Sequence, residues 1–417
     1  MQRRELILGW ILLFLVSIMY FFANLQKVVV PGSVFNELQM IFNCDAASIT
    51  GLGAGFMYAY SINQLTVGVL ADRYTGTRVI AVGGAFFCIG SLLSAYSGSL
   101  PLLYFSRVIT GFGASAIYLS MLKLIFRITP QAYTMVLGMM MLVGYSGSII
   151  SGAPFVKLIK NFGYGKCMLI IGIATAMCHI LFVICALMSK LPAINREVKL
   201  DLSSYKAVMT RHNLNVFLTT SIGFAIFYSM QMTIGKKFLE DFCHLSPEGS
   251  GIIMSIAMVI SSCNAFLQAI LTKLAGNRRL PFMHFCGFGC LAGSVILFLT
   301  TLFEWRCWQL PAGAWILLSF AGNNAIVQVA MLRETNPDNR VGTALSISNC
   351  IAYLVIAVAG SLTGFLLELY PPQLVDGIKI YGRNSYLCVF AMLVVFGLTT
   401  ALNSIFLKET HGKNIKV

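Results

Sequence analysis

Apolar runs of about twenty residues, each closed by a short stretch rich in charge, proline or glycine, recur along the whole 417-residue chain. Their limits predict helices over 6–30, 47–70, 78–97, 101–125, 133–157, 165–189, 213–235, 249–272, 281–303, 312–331, 341–368 and 385–407. Runs such as Leu6–Phe22, Ile80–Ala95, Leu291–Phe303 and Leu387–Phe406 belong to stretches near the ~20 residues that cross a bilayer core. The expected fold class is therefore an all-α membrane protein with twelve transmembrane helices. "MQRREL" and the run behind it have the order of a signal peptide. No small-residue cleavage pattern follows, so the first run is read as a retained span.

Composition agrees with that reading and adds an orientation. Charged residues make up 11% of the chain, against about 25% in a soluble domain. The net charge of +14 would suit a nucleic-acid partner, but the basic residues are scattered over short loops and form no stripe. With the N-terminus placed in the cytoplasm, nineteen Lys and Arg fall in loops or at span ends on that side and eight on the other. This asymmetry is the positive-inside pattern and puts both termini in the cytoplasm. Twelve cysteines show no CxxC or Cys/His spacing, and most sit inside apolar runs as small hydrophobes. No metal, cofactor or disulfide framework is expected.

The longest polar interruption splits the chain into an N-terminal six-helix half (1–189), a cytoplasmic linker (190–212) and a C-terminal six-helix half (213–417). A shift of 200 residues lays Gly51 on Gly251, Ser61 on Ser261, Arg73 on Lys273 and Arg78 on Arg278, the mark of two related halves. Two basic residues, Lys27 and Arg107, fall inside spans, whereas all fifteen Asp and Glu fall in loops or at helix ends. An interior with cations and no carboxylate favours anionic or zwitterionic guests.

The stretch "YSINQLTVGVLADRYTGTR" places Asp72, Arg73 and Arg78 in one turn between the second and third spans. Gly68 before it allows close helix approach, so the charges read as a gate latch. "GVLADRYTGTR" resembles the loop signature G-x-L-a-D-R-x-G-x-R-R of the major facilitator superfamily: Gly68, Leu70, Asp72, Arg73 and Arg78 match. Thr75 stands at the usual glycine, with Gly76 one place later. "RVITGFG" from Arg107 resembles the family's fourth-helix motif R-x-x-x-G-x-G, and "MLRETNPDNRVGTALSISN" is similar to its approach to helix eleven. "KVVVPGSVFNELQMIF" with "YAYSINQLTVGVLADRY" is similar to bacterial members, some of which import small nutrients. The resemblance implies two pseudo-symmetric six-helix halves and alternating access. It puts the solute near the midplane, lined by helices 1, 4, 7 and 10 with help from 2, 5, 8 and 11.

Polar groups on those helices are the expected solute contacts: Asn24, Gln26 and Lys27 on the first, Gln64 on the second, Arg107 on the fourth and Tyr145 on the fifth. The other half offers Tyr228 and Gln231 on the seventh, Asn264 on the eighth, Asn323 and Asn324 on the tenth, and Asn349 and Tyr353 on the eleventh. Lys27 could instead snorkel to the interface, and Arg107 could bond to neighbouring backbone. Each neutral group alone is more often a helix–helix hydrogen bond. No catalytic residues are expected, because the spans hold no paired carboxylates, HExxH or Ser/His/Asp arrangement. The leading expectation is a carrier of a small anionic or zwitterionic metabolite in a bacterial inner membrane, acting as a monomer. Such a carrier would be a uniporter, an exchanger, or a symporter whose proton rides on the solute or on a loop-edge acid such as Glu37 or Asp45. A drug or metabolite exporter of the same fold, or a transporter-like receptor without flux, is the alternative.

Overall fold

The computed structural model describes residues 3–189, 202–375 and 377–415. At Arg3, Val69, Ala71, Asp72, Arg73, Thr134, Ala265, Asp338, Asn339 and 202–204 it describes the backbone alone. The chain forms two compact units. One comprises Met1–Val30 with Gly55–Leu200, the other Pro31–Ala54 with Asp201–Val417. Of the expected linker, the part up to 201 lies outside the described residues, and Leu202–Val208 is a short helix.

The first span, helix Arg3–Val28, runs into a wide turn over Val29–Ser33, where Val30 leaves helical geometry at φ −112° and ψ 113°. Pro31 follows; it has no N–H to donate, so carbonyls of the last turn lose intrahelical partners. A short helix, Phe35–Phe42, leads to the second span, Ala46–Arg73. The third, Gly76–Ala95, starts where the Thr75 side chain accepts from the Arg78 N–H. The fourth, Leu100–Ile128, has Pro101 in its first turn. Helices three and four touch through glycine: a Cβ on Gly113 would lie 2.2 Å from the Phe87 nitrogen. This is the packing role of the "RVITGFG" glycines. The fifth span bends by 50° between its helix ending at Ile150 and Ala153–Phe162, and the sixth is Tyr164–Met188.

In the second unit, helix Arg211–Tyr228 continues through a wide turn, Ser229–Ile234, into Gly235–Asp241 as the seventh span. The eighth is Pro247–Leu274 and the ninth Leu280–Leu302. The tenth is broken into Gln309–Gly322 and Ala325–Thr335, and the eleventh is Asp338–Leu367. An antiparallel hairpin pairing Gln373 with Ile380 precedes the twelfth, Arg383–Ile405.

Among the described residues, nine helices are long and apolar enough to cross a membrane, and two bent pairs raise this to eleven. The second span, 28 residues or about 42 Å, is the twelfth. Asn63, Gln64 and several glycines make it the more polar one. Outward-facing Phe14, Ile62, Val82 and Phe365 are more than half exposed, as befits a surface solvated by lipid.

Two expectations need correction. Lys236 and Lys237, taken as loop residues, belong to the helical run ending at Asp241 and are 3% and 1% exposed. The interior is also not free of carboxylates, because Asp241 is 6% exposed beside them. The apolar count ends the span at the lysines, but their i,i+4 partners Glu240 and Asp241 neutralise them inside the protein.

Candidate functional site

The kink after the first span organises the first unit. Arg107 is 1% exposed and forks onto it, Nη1 donating to the Gln26 carbonyl and Nη2 to the Val30 carbonyl, each at 3.0 Å. Its guanidinium also lies 4.6 Å from the centre of the Phe56 ring. Of its two expected roles, these contacts describe the bond to neighbouring backbone. Lys27, on the turn between the two accepted carbonyls, is 6% exposed, so it does not snorkel from the surface of the unit.

The amides of the first unit divide into those with a hydrogen-bond partner and those without one among the described residues. Gln26 Nε2 donates to Ser91 Oγ at 2.8 Å, leaving Oε1 buried without a hydrogen-bond partner among the described residues. Asn24 donates to the Tyr20 carbonyl of its own helix, a packing role. Gln64 is fully buried, and neither its Oε1 nor its Nε2 has a hydrogen-bond partner among the described residues. Tyr145 faces Tyr20, ring centres 6.4 Å apart, and Tyr20 stacks on Tyr118 at 5.6 Å. Tyr20 and Tyr118 were not singled out from the sequence, where each stands as a lone tyrosine in the middle of its span.

At the other end of the second span, the Gly68 carbonyl accepts from Lys123 Nζ at 3.1 Å. Arg78 is exposed and borders a cavity of about 470 Å³ lined by Tyr74, Val82, Phe86 and Phe112. The Asp72 and Arg73 side chains lie outside the described residues. The displaced glycine of the turn has a reason: a Cβ on Gly76 would meet the Ser120 carbonyl at 2.8 Å.

In the second unit, the amides gather at the broken tenth span. Asn264 Nδ2 donates to the Phe320 and Asn323 carbonyls at 2.7 and 2.9 Å, and Gln268 donates to Asn323 at 3.1 Å. Asn323 donates to the Ser261 carbonyl and hydroxyl, and Asn324 to the Phe282 carbonyl. Asn264 and Gln268 thus close carbonyls that the break exposes, while Asn323 and Asn324 tie the break to the neighbouring helices. Tyr228 and Tyr353 both meet Phe224, at 4.4 and 6.3 Å between ring centres, with half-buried Asn349 one turn before Tyr353. Gln231 donates to the Met254 carbonyl and keeps a buried Oε1 without a hydrogen-bond partner among the described residues.

A second polar centre lies at the end of the seventh span. Lys236 pairs with Glu240 at 2.8 Å and Lys237 with Asp241 at 2.9 Å. Asp241 also accepts from the Tyr386 hydroxyl and the Tyr381 N–H. The double i,i+4 spacing in "KKFLED" carried this signal in the sequence.

Two curated relatives share part of the chain: the 4-hydroxybenzoate transporter PcaK of Pseudomonas aeruginosa, 28% identical over 166 residues, and monocarboxylate transporter 2 of Homo sapiens, 28% identical over 168. Each match covers 39% of this chain and only 37% and 34% of those proteins. In three dimensions the chain is similar to a bacterial homologue of the human lysosomal transporter Spinster in an inward-facing, unoccupied conformation. The TM-score is 0.72 at 14% identity, over 95% of this chain and 97% of that one, which shows a common fold. The family model of the Major Facilitator Superfamily matches residues 10–360. With its many apolar spans, the chain is a multi-pass integral membrane protein and belongs to the Major Facilitator Superfamily.

Proposed function

We propose that this protein is a secondary transporter that moves a small anionic or zwitterionic metabolite by alternating access. It acts as a monomer in a bacterial inner membrane with both termini in the cytoplasm. One observation carries the solute class. Lys27 and Arg107 are both buried in the first unit, yet across 6–30 and 55–189 the sequence holds a single carboxylate, Asp72. Asp72 stands 17 residues, or about 26 Å, along the second span from Gly55. A buried cation favours an anionic neighbour, and a solute carboxylate or phosphate supplies one. Lys27 is the proposed charge contact and Gln64 a proposed hydrogen-bonding contact, with Tyr145, Tyr228, Gln231, Asn349 and Tyr353 as further candidates. Arg107, Asn24, Asn264, Asn323 and Asn324 are proposed to hold the scaffold. The PcaK and monocarboxylate names fit a carboxylate solute.

The test is a thermal-shift screen of the purified protein against organic carboxylates, organic phosphates and neutral sugars, followed by counterflow in proteoliposomes with each hit. Anionic hits that disappear in Lys27→Ala are the expected result. A screen that returns only neutral or cationic compounds, or hits that Lys27→Ala leaves unchanged, overturns the solute class. Binding without counterflow would favour the receptor reading.

A further inference from the structure

Arg78 stands between two cavities of the first unit. The larger, about 470 Å³, lies among the second, third and fourth spans. Arg78, Val82 and Phe86 follow one another at i,i+4 spacing on the third span and line it over about 12 Å. Its floor is the buried cluster of Val67, Val79 and Ala116, and Gly83 beside Ala116 adds no side chain to fill it. Phe86 and Phe112 meet edge to face at its wall, ring centres 5.3 Å apart. Asn63 also borders it but donates its amide to the Phe112 carbonyl and the Ser115 hydroxyl, so the wall away from Arg78 is almost wholly apolar. The rim is open: Leu70, Tyr74, Val82, Phe86 and Phe112 are 37–62% exposed, on a face that lipid solvates.

The second cavity, about 250 Å³, has Arg78 in its wall too, together with Thr77 and with Ser189 at the end of the sixth span. Among the described residues no acid lines either cavity. An apolar slot open to acyl chains, a guanidinium at its mouth and a polar hollow beyond follow the order of a phospholipid: chain, phosphate, head group. The slot alone selects nothing, because lipid tails are as apolar as its wall. Charge does select. A guanidinium forks onto phosphate oxygens, and basic pockets between spans on the cytoplasmic side hold anionic head groups. An ammonium on the head group would meet no described carboxylate here and would lie against Arg78, so a net negative head group is favoured over a zwitterionic one.

We propose that the first unit holds one anionic phospholipid of the cytoplasmic leaflet, with an acyl chain in the larger cavity, its phosphate on Arg78 and its head group beside Thr77 and Ser189. The contact is non-covalent. Through its chain the lipid touches the second, third and fourth spans, and through its head group the third and the sixth. It therefore joins the cytoplasmic ends of four helices around the turn that carries Asp72. The site is separate from the proposed solute contacts and needs no solute for its test.

The probe is phosphatidylglycerol with a diazirine on its acyl chain, present as a trace in phosphatidylcholine nanodiscs that hold the full chain. After illumination, peptide mass spectrometry locates the label, which is expected on stretches 63–86 and 112–116. Unlabelled phosphatidylglycerol should displace the probe at a concentration about fivefold below that of phosphatidylethanolamine, which converts to ~1 kcal/mol. Arg78→Gln keeps a polar side chain and removes the charge, and the two competitors should then act alike. Label spread over the other lipid-facing helices overturns the chain site. Equal competition in wild type overturns the choice of an anionic head group, and a preference that survives Arg78→Gln overturns the role of Arg78. If the variant does not fold, the label and the competition in wild type decide alone, since either result against expectation sinks the proposal.

Discussion

Lys123 of the fourth span donates its ammonium to the carbonyl of Gly68 on the second, 3.1 Å away and one turn before Asp72. A flexible cation thus fixes the end of the helix that carries the charged turn. Lys123→Met keeps most of the stem and removes the donor. Stability should fall by about 1–2 kcal/mol, because the carbonyl loses a charge-assisted bond. Hydrogen exchange should accelerate at the amides after Gly68 and stay unchanged in helix Tyr164–Met188. Equal exchange in both proteins would mean that water replaces the ammonium at no cost.

Arg107 makes a stronger demand, since both of its recorded donors end on buried carbonyls at the Val30 kink. An ammonium cannot fork across two carbonyls, and alanine supplies nothing. Thermal unfolding in detergent should follow the order wild type, Arg107→Lys, Arg107→Ala. The alanine variant should lose about 2–6 kcal/mol, since two buried carbonyls are left unsatisfied at about 1–3 kcal/mol each. An alanine variant as stable as wild type would remove Arg107 from the scaffold and return it to the solute-contact candidates.

The spans were legible because a bilayer demands long apolar runs, and the turn at Asp72 because charge is rare in this chain. The direction of a polar side chain was not legible. Nothing in "FAGNNAIV" says that Asn323 and Asn324 turn onto the Ser261 and Phe282 carbonyls, since that depends on where the tenth helix breaks. Lys236 and Lys237 misled for a related reason: hydropathy scores each lysine alone, while Glu240 and Asp241 cancel them four residues on. Arg107 read as lying inside the fourth span, but its carbonyl partners needed the kink at Val30 to be seen.

Gln64 separates stability from function. Both of its amide atoms are buried without a hydrogen-bond partner among the described residues, a cost of about 1–3 kcal/mol for each such group. Gln64→Leu replaces them with apolar volume of similar size. The unfolding temperature should hold or rise, while affinity for the solute found in the screen should drop about tenfold or more, the ~1.4 kcal/mol worth of one lost hydrogen bond. A variant that is less stable and binds as wild type does would make Gln64 a packing residue.

Glu409 links stability to pH at the start of the ninth span, where its carboxylate accepts from the N–H groups of Arg279 and Leu280 at 2.7 and 3.0 Å. Burial alone would push Glu409 up, but those two amides, with His411 and Thr410, hold it below the ordinary glutamate value. A folded-state value below the unfolded one means that the charged form stabilises the fold. That contribution is complete above the unfolded value of about 4.3 and disappears as pH falls through the folded value. Wild type should therefore lose unfolding temperature on acidification through this range, and Glu409→Gln should start lower at neutral pH and lose less. Parallel pH curves for the two proteins would show that the four amides bind the neutral side chain as well as the charged one.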